Sequence, residues 1–308
     1  MPEYRALREK YSLLTLCKTP DLATEVTLQP IRRFAIDAAI IFADILLPLE
    51  PLGLHLEFAK GEGPVIHNAI SGPSDVANLH SFDVKRELSF VLDAIRATVT
   101  ELKDVPLIGF AGAPFTVASY AIEGGHSRHF LKTKQFMYKQ PDAWHALMEK
   151  ISTMTAQYLR AQTEAGASAV QMFDSWVGVL SPEDYRKYVL PYSKRVLSVQ
   201  SVPAIHFSTG TAAYLDLICE AGGDVISVDW RVDLKRAREQ IGRRAIQGNL
   251  DPAHLLMPSE DLRKEVIKIL SAAGGNPGHI FNLGHGVFPE TPPENVEMLV
   301  EEVHLWKP

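Results

Sequence analysis

The chain has 308 residues, of which 46% are apolar and 22% charged, a balance that builds one large core and excludes disordered and fibrous classes. Its formal charge of -6 gives no general attraction to nucleic acid or anionic membrane, so a polyanionic ligand would need a locally basic pocket. Two cysteines, Cys17 and Cys219, are too few for a disulfide scaffold and read as buried thiols. The charged opening, Met1 to Lys10, lacks the apolar run of a secretory signal, which implies a cytoplasmic protein.

In chain order, the first apolar run fit for a buried strand is Ile36 to Ala43. A long segment follows, Leu47 to Val105, with Gly53, Gly61, Gly63 and Pro64; it reads as an elaborated loop over one barrel face, ending in a helix from Ser89 to Lys103. Val105 to Ile122 carries no charge, yet Pro106, Pro114 and its glycines break it into strand plus loop rather than a membrane helix. Pro106 to Ala111 is the second strand. The others are Ala169 to Phe173, Pro203 to Phe207, Val225 to Asp229, Arg244 to Gln247 and His279 to Leu283. Between them, Asp142 to Ala165, Pro182 to Val199, Thr211 to Ala221 and Ser259 to Ala273 alternate apolar and charged residues at helical spacing. No linker, low-complexity tract or repeat divides residues 1–308, so one domain is expected.

Short strands buried on both faces, each followed by a helix, specify an α/β fold with a parallel sheet. Such folds collect their chemistry at strand C-termini. The residues there are Asp44, Gly112 to Pro114, Asp174 and Ser175, Ser208 and Thr209, Asp229 and Trp230, Asn249 and Asp251, and His285. Any one of them could simply cap the next helix; the succession favours a polar rim around a pocket. Seven strands are one short of a closed barrel, which uses eight. No Gly-x-Gly-x-x-Gly or Gly-x-x-x-x-Gly-Lys loop suggests a nucleotide.

Several segments closely resemble the uroporphyrinogen decarboxylases: MPEYRALR at Met1 to Arg8, TLQPIRRF at Thr27 to Phe34, IIFADIL at Ile40 to Leu46 and PLIGFAGAPFT at Pro106 to Thr116. YAIEGG at Tyr120 to Gly125, QMFDS at Gln171 to Ser175, QGNLDP at Gln247 to Pro252 and NLGHG at Asn282 to Gly286 continue the likeness in the same order. The resemblance implies a homodimeric TIM-type (β/α)8 barrel that removes the four acetate carboxyls of uroporphyrinogen, giving coproporphyrinogen for haem synthesis. It also implies no metal and no organic cofactor, because a pyrrole protonated on a ring carbon becomes its own electron sink.

Matched to the family's pattern, Asp44 is the central carboxylate that accepts the pyrrole N–H groups, an acceptor-only role that suits an anion. Tyr120 is the phenol near it; these two are the catalytic candidates. Ser175 matches a donor to a propionate, with Phe173 as an apolar wall, and MFDSW lacks the elbow of a hydrolase serine. His285 matches a last-strand histidine that meets a substrate carboxylate, and Gly284 and Gly286 would let the ligand approach the backbone. His126 and His129 read as solvated surface.

Family members open with an earlier strand and an arginine motif that has no counterpart here. The barrel is therefore expected to lack its first strand, and this chain to be poorly active. Arg5, Arg8, Arg32 and Arg33 read as surface charge. The nearest rival is a zinc-dependent barrel methyltransferase; Ser208 stands two places after His206, where those relatives carry Cys. A noncatalytic tetrapyrrole-binding protein is the other.

Overall fold

In the computed structural model, residues 1–59, 63–275 and 277–307 are described; Gly61 lies outside them. The strands are β1 (Ala39–Ile40), β2 (Leu56–Ala59), β3 (Gly63–Ile66), β4 (Leu107–Gly112), β5 (Ala169–Asp174), β6 (Ala204–Ser208), β7 (Val225–Val228), β8 (Ala245–Gln247) and β9 (His279–Ile280). Seven of them form one parallel sheet in the order β1-β4-β5-β6-β7-β8-β9. The count matches the seven apolar runs. β6 is buried at every position, as a strand covered on both faces must be.

The sheet curls into a half-barrel, and one hydrogen bond makes the curl evident. Gln247 Nε2 on β8 reaches Gln171 Oε1 on β5 at 3.2 Å and Ser227 Oγ on β7 at 2.9 Å. Strands β5 and β8 are separated by two others, so their inward side chains meet only across a concave interior. Outside, the helix Pro141–Ala165 buries Trp144, Leu147, Met148 and Ile151 on its inner stripe, with Trp144 against Phe115 of a neighbouring helix and Gln162 bonded to Phe110 of β4.

Strands β1 and β9 are the edges, and Ile40 and Ile280 are each 43% exposed there. Helices bridge this seam where the sheet does not: the last helix, Pro293–Leu305, packs against Pro20–Phe34. Arg5 donates to the Pro289 carbonyl at 2.6 Å, and His304 Nε2 lies 3.1 Å from Asp37 Oδ2.

Several elements differ from the sequence reading. The expected strand Ile36 to Ala43 shrinks to Ala39–Ile40; Ile41 N still reaches the Ile108 carbonyl at 3.1 Å, while the edge-side Phe42 N–H is taken by the Thr27 hydroxyl at 2.9 Å. Leu283 joins Leu250 in an isolated bridge beyond β9. The expected helix Pro182 to Val199 is two, Pro182–Tyr188 and Leu190–Ser198, broken at Val189, just before Pro191, whose ring cannot continue the preceding turn. Thr211 to Ala221 likewise begins as a 3-10 turn, Ala212–Tyr214. The long early loop contains an antiparallel hairpin, β2 with β3, and Val65 bridges to Gly125. That lays the hairpin against the end of the helix Pro114–Glu123. Val105 to Ile122 is β4 and most of this helix, and among the described residues no helix is long and apolar enough to cross a membrane. Cys17 is buried and Cys219 half-buried.

Candidate active site

Asp44 follows β1 within apolar surroundings: Ile41, Leu46 and Leu47 are all buried. Its Oδ1 accepts the Leu46 N–H at 2.8 Å, so one oxygen shapes the local turn and the other remains. Burial pushes the carboxyl up to about 6, against the pull of that hydrogen bond. Its charge is felt nearby: burial and then Asp44 help push the Cys17 thiol up to about 12.

Tyr120 projects from the helix after β4, Pro114–Glu123. Burial raises its phenol, and the charge of Asp44 raises it further, so the two groups lie within electrostatic reach of each other. The Tyr120 ring meets Trp176 edge-on at 6.0 Å. Trp176 also touches His126 at 5.6 Å and Phe130 at 5.4 Å, making one aromatic wall. His126 and His129 are exposed, although His126 lends its ring to this wall.

Phe173 on β5 sits between Phe110 at 5.5 Å and Phe207 at 5.4 Å. Phe207 in turn contacts His285 at 6.1 Å, so a continuous line of rings joins β4 to the loop after β9. Ser175 follows β5; its carbonyl accepts from Thr209 Oγ1 at 2.6 Å. The His285 Nδ1 accepts the Gly286 N–H at 2.8 Å. With that lone pair occupied, the neutral ring carries its proton on Nε2, a donor for an anion. Burial lowers the His285 pKa, Arg231 lowers it further, and Asp229 opposes both.

Two groupings therefore emerge, Asp44 with Tyr120 and Trp176, and Phe173 with Phe207 and His285. The wider polar rim is engaged internally. Asp229 accepts from Gly210 N at 2.6 Å and Arg231 N at 2.9 Å. Asn249 donates to the Asp229 and Val232 carbonyls, both at 2.8 Å, and Ser208 pairs with Thr211 at 2.7 Å. Asp251 caps the following turn at Ala253 N, 2.9 Å away. Capping and stapling account for these residues, as the plainer reading of each allows.

The glycine bracket of His285 also divides. A Cβ at Gly284 would collide with the Trp230 amide, whereas nothing stands near Gly286; Gly284 serves packing between loops, not ligand approach. Phe207 and Trp176 escaped the sequence reading. Phe207 pairs in register with Phe173, a signal available by aligning the ends of consecutive strands. The early arginines have structural partners: Arg8 on the Tyr11 carbonyl at 3.0 Å, Arg32 on Glu25 at 2.8 Å and Arg33 on Glu3 at 2.9 Å.

The profile of the family described as Uroporphyrinogen decarboxylase (URO-D) matches residues 1–306. The chain belongs to the uroporphyrinogen decarboxylase family. A uroporphyrinogen decarboxylase of Chloroflexus aggregans is 56% identical over 99% of this chain and 88% of its own length. That of Carboxydothermus hydrogenoformans is 54% identical over the same shares. Among solved structures, a methyltransferase from Methanosarcina mazei superposes with a TM-score of 0.80 at 22% identity, covering 92% of this chain and 85% of its own. That likeness supports the barrel fold alone, and the sequence relatives favour the uroporphyrinogen decarboxylase family over the methyltransferase reading.

Proposed function

We propose that this protein decarboxylates uroporphyrinogen, converting its four acetate arms to methyl groups. The observation that carries the chemistry is the half-buried Asp44 carboxyl within electrostatic reach of the Tyr120 phenol. Protonation of a pyrrole at the ring carbon next to the acetate-bearing one creates a delocalised cation. The acetate C–C bond then breaks, its electron pair enters the ring as an exocyclic double bond, and carbon dioxide leaves. A second proton converts the methylene to methyl, and loss of the first restores the aromatic ring. Each arm thus consumes one proton net and needs no oxidant.

In this reading the free Asp44 oxygen accepts pyrrole N–H groups and stabilises the cation, a fixed charge aimed where positive charge develops. Tyr120 orients the reacting arm beside it. Ser175 and the His285 Nε2–H hold propionates, and Phe173 with Phe207 supports the ring edge. The protein acts in the cytoplasm as a homodimer; Val287 and Phe288, 58% and 45% exposed, supply apolar surface beside the mouth for the contact.

The test is anaerobic incubation with uroporphyrinogen, oxidation, and separation of the porphyrins by carboxyl number. Stepwise loss of four carboxyls is expected. Tight porphyrin binding with no carbon dioxide released would overturn the catalytic reading in favour of a binding protein.

A further inference from the structure

We propose that Arg231 is a carboxylate-recognition residue at the mouth, acting with His285 as a two-donor clamp on one arm of a polycarboxylate. The inference rests on the tetrapyrrole reading above and adds a residue to it.

Arg231 is held in place by a built support. Asp229, 1% exposed, takes the Arg231 N–H at 2.9 Å on Oδ1 and faces the guanidinium at 3.1 Å through Oδ2. The same Oδ2 accepts Gly210 N at 2.6 Å, tying the loop after β7 to the loop after β6. The guanidinium lies 4.6 Å from the centre of the Trp230 ring. Trp230 meets His285 edge-on at 6.4 Å. Arg231 thus lies over the Trp230 ring, whose edge meets His285, and Gly284 packs closely against the Trp230 main chain.

Neutralising Asp229 accounts for only part of this arrangement. That carboxylate already has two backbone donors, and a guanidinium carries five N–H groups. The Arg231 side chain is 55% exposed, so the donors not facing Asp229 look outward. A planar cation fixed by a ring and a buried anion is preorganised for bidentate contact with a carboxylate. On a chain of formal charge -6, such a mouth needs local positive charge to admit a polyanion. The two partners divide the work: His285 contributes a neutral Nε2–H, and Arg231 contributes the formal charge.

The experiment uses the oxidised, unreactive porphyrins as probes. Uroporphyrin, with eight carboxylates, and coproporphyrin, with four, are titrated against wild type, R231Q and R231K by tryptophan fluorescence at several salt concentrations. R231Q is expected to weaken uroporphyrin about tenfold, to weaken coproporphyrin less, and to flatten the salt dependence. R231K should recover the salt dependence without the full affinity, because a point charge cannot replace the planar fork. If R231Q folds poorly, R231Q/D229N removes the buried charge as well and is measured instead. Equal affinity and salt slope in wild type and the Gln variant would overturn the role of Arg231 alone. Failure of the wild type to bind uroporphyrin at all would overturn the tetrapyrrole reading, and this inference with it.

Discussion

Thr116 Oγ1 donates to Asp174 Oδ1 at 2.9 Å and itself accepts the Trp176 N–H at 3.3 Å. The hydroxyl links the helix that carries Tyr120 to the turn that carries Ser175. Asp174 is fully buried, and its Oδ2 has no hydrogen-bond partner among the described residues. Burial pushes its carboxyl up to about 7, with Thr116 pulling the other way.

A carboxyl whose folded pKa is raised adds stability that is fully present below its unfolded value and is lost as pH rises through the folded value. For Asp174 that window runs from 3.8 to about 7. Wild type is therefore expected to lose stability relative to D174N as pH rises across this window, by up to about 1.4 kcal/mol for each pH unit, with the gap levelling off above the folded value. Urea melts of both proteins across the window check this; a gap that does not change with pH would refute the assignment.

Removing the hydroxyl has a different signature. T116V leaves the Asp174 carboxyl without its donor, and an unsatisfied buried group costs about 1–3 kcal/mol. T116S should restore most of the loss, as read by thermal unfolding.

In the proposed reaction Asp44 sets a pH limit on turnover. Its carboxyl, at about 6, must be ionised to accept pyrrole N–H groups, so kcat/KM is expected to rise with pH through that value. D44N should abolish this limb and reduce kcat by about a hundredfold or more. An unaltered pH profile in the variant would mean that another group titrates.

At the other side of the mouth, the neutral Nε2–H of His285 is the donor at issue. H285Q keeps an N–H and should raise KM modestly, whereas H285L should raise it about tenfold, the worth of a hydrogen bond to a charged group. Steady-state kinetics that leave KM unchanged in the leucine variant would remove His285 from substrate contact.

The two glycines beside it behave oppositely. G284A forces a methyl into the Trp230 amide, with an overpacking cost of about 1–3 kcal/mol. G286A meets open space and should melt with wild type.

Much of the fold is legible in the sequence. β6 and β7 announce themselves as short apolar runs, and Asp44 stands out as a charge inside one. What could not be read was decided by partners distant in sequence. The edge-side amide of Phe42 is claimed by a hydroxyl on an earlier helix, and Val189 breaks a helix whose periodicity is continuous. Asp229 and Asn249 look like ligand contacts until their carbonyl and amide partners on neighbouring loops are known. Gly284 reads the same as Gly286 in one dimension; only the position of Trp230 separates them. Arg231 carries no motif and becomes conspicuous only through the ring beneath it.

The seam has a consequence for biosynthesis. The Arg5–Pro289 and Asp37–His304 contacts span 284 and 267 residues, so they close only when nearly the whole chain has left the ribosome. Until then the opening helix leans only on early elements, through contacts such as Arg33–Glu3, and the Ile40 edge lacks the cover of the last helix. That interval, rather than the finished fold, is when strand-to-strand association between nascent chains is most dangerous, and a chaperone that shields the amino-terminal third would protect it best.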